Sequence, residues 1–230
     1  VRHLEDASSR LEAARSERDA IVVAFSGGKD ALCTMDLCKR VFSRVEAFFM
    51  ETIPGLSSTT RVLDLCRTRF GVTPVVFHHW TMLRALGEGA YCDPDYPDAL
   101  AKTSLADIHA QVRNHFGIPN IATGYKRADS MWRRRMMAKP SVMRGIVAPL
   151  ADWKQAQVID YLTARGIPLP AKVFDPRGKY SHGEDGDVDL KTMSILNLFD
   201  RHPEDFAKLE KVFPYIRACV VRREKYGIVV

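Results

Sequence analysis

The stretch that most limits what this chain can fold into is Ala20-Ile-Val-Val-Ala-Phe25, which runs directly into Ser26-Gly27-Gly28-Lys29-Asp30. The run is apolar and rich in β-branched residues, with no polar alternation. A half-exposed strand alternates, so an unbroken apolar run reads as a strand covered on both faces. Ala31, Leu32, Met35, Leu37 and Cys38 then recur at helical spacing. The same alternation continues along the chain. Val45–Met50, Pro74–Phe77, Asn120–Thr123 and Gly145–Pro149 read as strands, with Thr59–Phe70 and Thr103–Phe116 as helices between them. Strands alternating with helices predict a doubly wound α/β fold built on a five-stranded parallel sheet.

A helix over residues 2–18 precedes this pattern, and one over Asp152–Arg165 follows it. The latter is expected to be capped by Asp152 with Gln155 three residues on, and it is ended by Gly166 and Pro168. A Pro/Gly/Asp-rich loop covers 166–187, and two helices, about 188–201 and 203–225, close the chain. The expected division is a nucleotide-binding domain over 1–165, with residues 166–230 as a loop and a helical C-terminal extension packed on it.

The turn Ser26–Asp30 carries the clearest chemical signal. Two glycines let backbone approach a ligand in conformations closed to other residues. The helix that follows offers unpaired N–H groups and the positive end of its dipole, and Ser26 and Lys29 add a donor and a cation. This combination suits a phosphate group. The spacing is neither Gly-x-x-x-x-Gly-Lys-Ser/Thr nor Gly-x-Gly-x-x-Gly, which argues against those two nucleotide classes. The competing reading is a tight strand-to-helix turn with an exposed lysine.

The net charge of +6 is local in origin. Between Lys126 and Arg144 lie seven Lys or Arg residues and one acid, Asp129. Arg133, Arg134 and Arg135 beside Trp132 suit a nucleic-acid backbone and a stacked base, a bound nucleotide, or simply a solvated basic helix face. The five cysteines, Cys33, Cys38, Cys66, Cys92 and Cys219, include no Cys-x-x-Cys pair. Reduced thiols are therefore expected in place of a disulfide framework or zinc ribbon. The charged first twenty residues lack the apolar core of a signal peptide, and no apolar run has the length of a membrane helix. The expectation is a cytoplasmic protein without a membrane partner, its state as homo-oligomer or partnered subunit left open.

Ser26-Gly-Gly-Lys-Asp-Ala31 resembles the Ser-Gly-Gly-x-Asp-Ser loop of the adenine-nucleotide alpha-hydrolase (PP-loop) superfamily. Gly124-Tyr-Lys126-Arg-Ala-Asp129-Ser130-Met-Trp-Arg133 resembles a Gly-x-Arg-x-x-Glu-Ser-x-x-Arg segment. Pro149-Leu-Ala-Asp152-Trp153 is similar to a Pro-Leu-x-Asp-Trp element. Both belong to the branch containing phosphoadenosine-phosphosulfate (PAPS) reductase and the ATP sulfurylase small subunit. The three occur in family order, and the resemblance spans roughly residues 10 to 170. It implies a HUP-like fold binding ATP or PAPS, with Mg²⁺ in the ATP case. Ala24, Phe25, Ser26, Gly27, Gly28, Lys29, Asp30, Met50, Glu51 and Gly124 would hold the nucleotide, and Asp30 would face the metal. Lys29, Lys126 and Arg133 would flank the reacting group.

The departures pull in different directions. Ala31 stands where ATP-cleaving members carry Ser, and Lys126 replaces an Arg and cannot form its bidentate fork. The Glu-Cys-Gly-Leu-His motif of PAPS reductases is missing from these residues, and Cys219 reads as a small buried hydrophobe. Adenylyl transfer is therefore the leading expectation, with a PAPS-reductase-like oxidoreductase and a non-catalytic nucleotide-binding subunit as alternatives. His182–Asp189 fails the calcium-loop pattern, since Leu190 and Leu196 occupy its glycine and final glutamate positions. His78 and His79, adjacent on a strand end, point oppositely and are assigned no metal.

Overall fold

The computed structural model describes residues 2–93, 98–139, 143–169, 173–174, 180–181 and 190–227. The expectation for His182–Asp189 lies outside them. Helix α1 (Arg2–Glu17) leads into β1 (Ala20–Ala24), α2 (Lys29–Val41), β2 (Arg44–Glu51), α3 (Ser57–Phe70) and β3 (Val75–His78). Then come α4 (Trp80–Gly87), α5 (Asp98–Ala101), α6 (Leu105–Phe116), β4 (Ile121–Ala122), α7 (Met131–Met137), β5 (Ile146–Val147) and α8 (Gln155–Ala164). The pair β6 (Val173–Phe174) and β7 (Tyr180–Ser181) precedes α9 (Thr192–Arg201), α10 (Pro203–Val212) and α11 (Ala218–Tyr226).

The main sheet has five strands in the order β3-β2-β1-β4-β5. β1 runs parallel to β2, with Val23 opposite Ala47 and Ala24 opposite Phe48. It also runs parallel to β4, with Val22 opposite Ile121, and β4 is parallel to β5. This is the expected doubly wound α/β fold. The chain steps outward from β1 to β3 and then returns to lay β4 on the other side of β1. That reversal creates a topological switch point between β1 and β4, and open α/β sheets bind ligands at the carboxyl end of such a point.

The chain divides into two compact units. One comprises Val1–Phe49, Val62–Val75 and Gln111–Gly186. Ile21 and Val23 of β1 and Phe25 just after it pack there with Leu32 and Met35 of α2 and with Trp153, Val158 and Leu162. Ile21, Val22 and Val23 are fully buried, as the unbroken apolar run predicts. The other unit comprises Met50–Arg61, Val76–Ala110 and Asp187–Val230, and its core gathers Ile53, Leu56, Met82, Leu86, Leu198, Phe206, Leu209 and Phe213. Asp205 is buried in it. Burial pushes its carboxyl pKa up, but Lys208 and the Ser57 hydroxyl and amide outweigh that and hold it below the usual value.

Three local expectations need correction. Helix α8 starts at Gln155 rather than Asp152, and its first turn is closed by Gln157, whose Oε1 accepts from the Lys154 amide at 2.7 Å. Asp152 does not cap it, because Arg10 and Arg127 both bind its carboxylate. The C-terminal region holds three helices where two were expected: Pro214 follows α10, and the residue before a proline resists helical geometry. Helices α4 and α5 were not anticipated. His79 starts α4, its Nδ1 accepting from the Thr81 amide at 3.2 Å.

Candidate functional site

β1 delivers the chain to the carboxyl edge of the sheet at Ala24. The Phe25 amide still donates to Phe48 O at 2.9 Å, and the Phe25 ring is buried. Ser26 then turns outward and is exposed. Gly27 takes φ +76°, and a Cβ there would lie 2.5 Å from Val62 Cγ2. Both its conformation and the space around it require glycine. Gly28 is the N-cap of α2, and no side chain caps the helix. The first-turn amides of this 13-residue helix are thus left without the usual side-chain acceptor.

Four charged side chains from two segments meet here. Asp30, in the first turn of α2, receives the Lys29 ammonium on Oδ2 at 3.0 Å and the Lys126 ammonium on the same oxygen at 2.6 Å. Lys126 comes from the segment that follows β4, and its side chain is only 3% exposed. Asp129 clamps it twice, through Oδ1 to Nζ at 3.1 Å and through Oδ2 to the backbone amide at 3.2 Å. The cluster therefore balances two ammonium groups against two carboxylates. Asp30 Oδ1 and Thr123 Oγ1 are buried yet lack hydrogen-bond partners. Buried polar atoms are usually satisfied, so each is a position where a ligand, ion or water fits.

Gly124 lets the two segments approach: a Cβ there would lie 2.8 Å from Asp30 Cβ and 3.0 Å from the Asp30 carbonyl carbon. Next to it, the Arg133 guanidinium lies 3.6 Å from the Tyr125 ring centre. Ser130 caps α7 by accepting from the Arg133 amide at 3.0 Å. The loop is anchored from behind. Arg127 donates to Asp152, its amide donates to Ala151 O at 2.8 Å, and Asp152 also holds Arg10 of α1. Those arginines, Arg10 first, hold the Asp152 carboxyl pKa below its usual value against the opposing effect of burial.

The structure brings Lys29, Asp30, Gly124 and Lys126 into one cluster, with Ala24 through Gly28 leading into it. Arg133 lies beside Tyr125, with no hydrogen bond or ion pair to Asp30 or Lys29. Met50 and Glu51 end β2, two and three positions beyond the Ala24–Phe48 pair. Glu51 has its pKa raised by burial, partly offset by His78. Two residues important to the cluster's geometry, Asp129 and Asp152, were not singled out from the sequence as site residues. Both stand inside the segments resembling the family, and the Lys126–Asp129 spacing of three was a readable signal. All five cysteines are buried and free. Burial raises the thiol pKa of Cys33 and Cys38 strongly and that of Cys66 to about 12. Among the described residues no group of three His, Cys, Asp or Glu is placed to hold a metal ion, and no helix is long and apolar enough to cross a membrane.

The model of the phosphoadenosine phosphosulfate reductase domain matches residues 20–173. Argininosuccinate synthases from strains of Streptococcus thermophilus are 26% identical over 171 residues, covering 69% of this chain and 42% of their own. The chain thus spans less than half the length of these curated relatives. Among solved structures, the PAPS reductase of Candida auris aligns with a TM-score of 0.48 at 16% identity, over 71% of this chain and 81% of that one. The U34-tRNA thiolase NcsA of Methanococcus maripaludis aligns with a TM-score of 0.47 at 13% identity, over 95% and 79%. The family match covers more than half of the chain and includes Ser26–Asp30, the Lys126 segment and Asp152, so the chain belongs to the phosphoadenosine phosphosulfate reductase domain family.

Proposed function

We propose that the chain binds ATP through Ser26–Asp30 and catalyses attack by an acceptor on the α-phosphorus. The acceptor–phosphorus bond forms, the α–β bridging P–O bond breaks, pyrophosphate leaves, and the acceptor's proton passes to solvent. The observation that carries this reading is the Lys29–Asp30–Lys126 cluster at the uncapped start of α2. Cations fixed where charge develops on a transferring phosphoryl group are effective electrostatic catalysts. Lys29 and the α2 amides would hold the polyphosphate, and Lys126 would stabilise charge on the reacting group. Mg²⁺ commonly takes one or two carboxylates together with substrate phosphates, and the buried, unpartnered Oδ1 of Asp30 fits that demand. When bound, the ion would neutralise the departing pyrophosphate.

The runner-up is thiol-dependent reduction of PAPS, favoured by the family's name and by Ala31. Its difficulty is the nucleophile. Reduction needs a thiolate, yet all five cysteines are buried, and desolvation disfavours the thiolate of Cys33, Cys38 and Cys66. The test is to incubate the chain with ATP and Mg²⁺ or with PAPS and a dithiol. Pyrophosphate release supports the first reading. Sulfite release without pyrophosphate overturns it in favour of the second, and tight binding with neither product indicates a non-catalytic subunit.

A further inference from the structure

We propose that α7 and the residues flanking it dock a single-stranded polynucleotide beside the Lys126 cluster. The inference deepens the proposed function by naming a partner, and it rests on that reading only for what happens after docking. Met131 and Trp132 open the helix and are 62% and 64% exposed, among the most exposed large apolar side chains of the described residues. Met136 and Met137 of the same helix pack with Ala148 and Ala151. The helix therefore already has a buried anchor, and Trp132 is not needed to hold it in place.

The cations beside Trp132 are not taken up by carboxylates. Arg134 and Arg135 are exposed, and among the described residues neither guanidinium makes a hydrogen bond or ion pair. Some exposed arginines elsewhere, such as Arg44, Arg67, Arg84 and Arg217, take carboxylates, and others, such as Arg18 and Arg40, do not. What sets Arg134 and Arg135 apart is that they are adjacent to each other and in the same helix as an exposed indole. The one acid of the basic segment, Asp129, is committed to Lys126. Arg133 extends the surface toward the cluster, 5.5 Å from the Trp132 ring and 3.6 Å from that of Tyr125.

Unpaired arginines supply phosphate neutralisation, and an exposed indole supplies a stacking platform. A single strand uses both, because its bases are free to stack on aromatic faces. A duplex hides those faces. A lipid surface requires a broad apolar helix face, which a seven-residue helix with two methionines turned inward does not offer.

The test uses the full chain and fluorescein-labelled oligouridylate, oligothymidylate and a duplex of matching length, with anisotropy read between about 50 and 200 mM salt. Binding of either single strand in preference to the duplex is expected, and the stronger of the two shows whether RNA or DNA is the partner. Trp132→Ala should weaken it by about tenfold. The double variant Arg134→Ala/Arg135→Ala should lower the slope of log K against log salt by about 1.4, two phosphate contacts at roughly 0.7 each. Wild-type affinity and slope in both variants, or binding of phosphatidylserine vesicles but of neither strand, overturns the proposal. ATP-induced thermal shifts measured in parallel separate the two readings. Loss of oligonucleotide binding with an intact shift counts against this surface alone, whereas no shift beside intact oligonucleotide binding counts against the nucleotide site alone.

Discussion

Lys126 Nζ sits 2.6 Å from Asp30 Oδ2 and shares that oxygen with Lys29. The loop Ser26–Asp30 and the segment after β4 are thus joined by an ion pair across the topological switch point. Without ligand the cluster is electrically balanced, so an incoming polyphosphate competes with Asp30 for both ammonium groups. A divalent cation on Asp30 would relieve that competition.

Asp30→Asn should therefore separate binding from turnover. Removing the carboxylate takes one competing anion away from each lysine, and ATP binding in the absence of Mg²⁺ is expected to tighten severalfold. Mg²⁺-dependent pyrophosphate release should fall by tenfold or more. Calorimetric titration with and without Mg²⁺ checks the first part, and weaker Mg²⁺-free binding by the variant would count against a competing role for Asp30.

Adenine nucleotides should raise the thermal midpoint, and guanine nucleotides should do so much less. At a ligand concentration of a hundred times Kd the stabilisation is about 2.7 kcal/mol. Differential scanning fluorimetry with ATP, PAPS and GTP reads it directly. Equal shifts with ATP and GTP, or none with any adenine nucleotide, would reject the assignment of the loop.

The two lysines should differ in their effect on folding. Lys126 is 3% exposed and carries two carboxylate partners, so Lys126→Ala leaves Asp129 without this cation and Asp30 with Lys29 in its place. Breaking a fully buried pair costs roughly 3–5 kcal/mol, and partial exposure of both carboxylates brings the expected loss below that. Lys29→Ala removes one of the two ammonium groups on Asp30 and leaves the other in place. It should weaken nucleotide binding and keep wild-type circular dichroism. Urea titrations of the two variants give the comparison, and a larger stability loss for Lys29→Ala would reverse the roles.

Local signals carried the sequence reading where local physics decides the structure. The unbroken run Ala20–Phe25 demanded cover on both faces, and Gly27-Gly28 demanded a turn, so β1, the loop and α2 followed. Reading failed where a distant residue decides. Asp152 is a good N-cap by composition, but Arg10 and Arg127, 142 and 25 positions away, take its carboxylate, and the helix start moves to Gln155. Pro214 was a local signal of a helix break that the apolar spacing around it obscured. Lys126 stood out in the sequence within the basic segment, yet its capture by Asp30 depends on β4 lying beside β1, which only the assembled sheet provides.

Asp152 should leave a signature in acid. Its folded-state pKa lies below the ordinary 3.8 because Arg10 and then Arg127 favour the carboxylate. A carboxyl of this kind contributes stability above its unfolded pKa and loses it as pH falls through the lower folded value. The contribution therefore disappears below about pH 3.8. Asp152→Asn should be less stable than wild type near neutrality, and the difference should shrink as pH falls through that window. Its partial exposure keeps the effect modest. A stability gap that stays constant from pH 6 to the acid limit would show that the ion pairs contribute nothing.

The basic helix supplies the last expectation. Successive helical residues are turned by about 100°, so Arg133, Arg134 and Arg135 cannot all face one phosphate. Arg133 is half-buried against Tyr125, the neighbour of Lys126, whereas Arg135 is exposed and unpaired among the described residues. A guanidinium held over the ring of the residue next to Lys126 is ordered on the side of the cluster where a reacting group would lie. Arg133→Ala is therefore expected to lower the rate of pyrophosphate release by tenfold or more, while Arg135→Ala changes it less than twofold when no polynucleotide is present. Side-by-side initial rates at saturating ATP decide the matter. Equal losses in both variants would refute the residue-level assignment. Intact rates in both, joined with weakened salt-dependent binding of single strands, would move Arg133 out of the nucleotide chemistry and onto the same docking surface as Trp132.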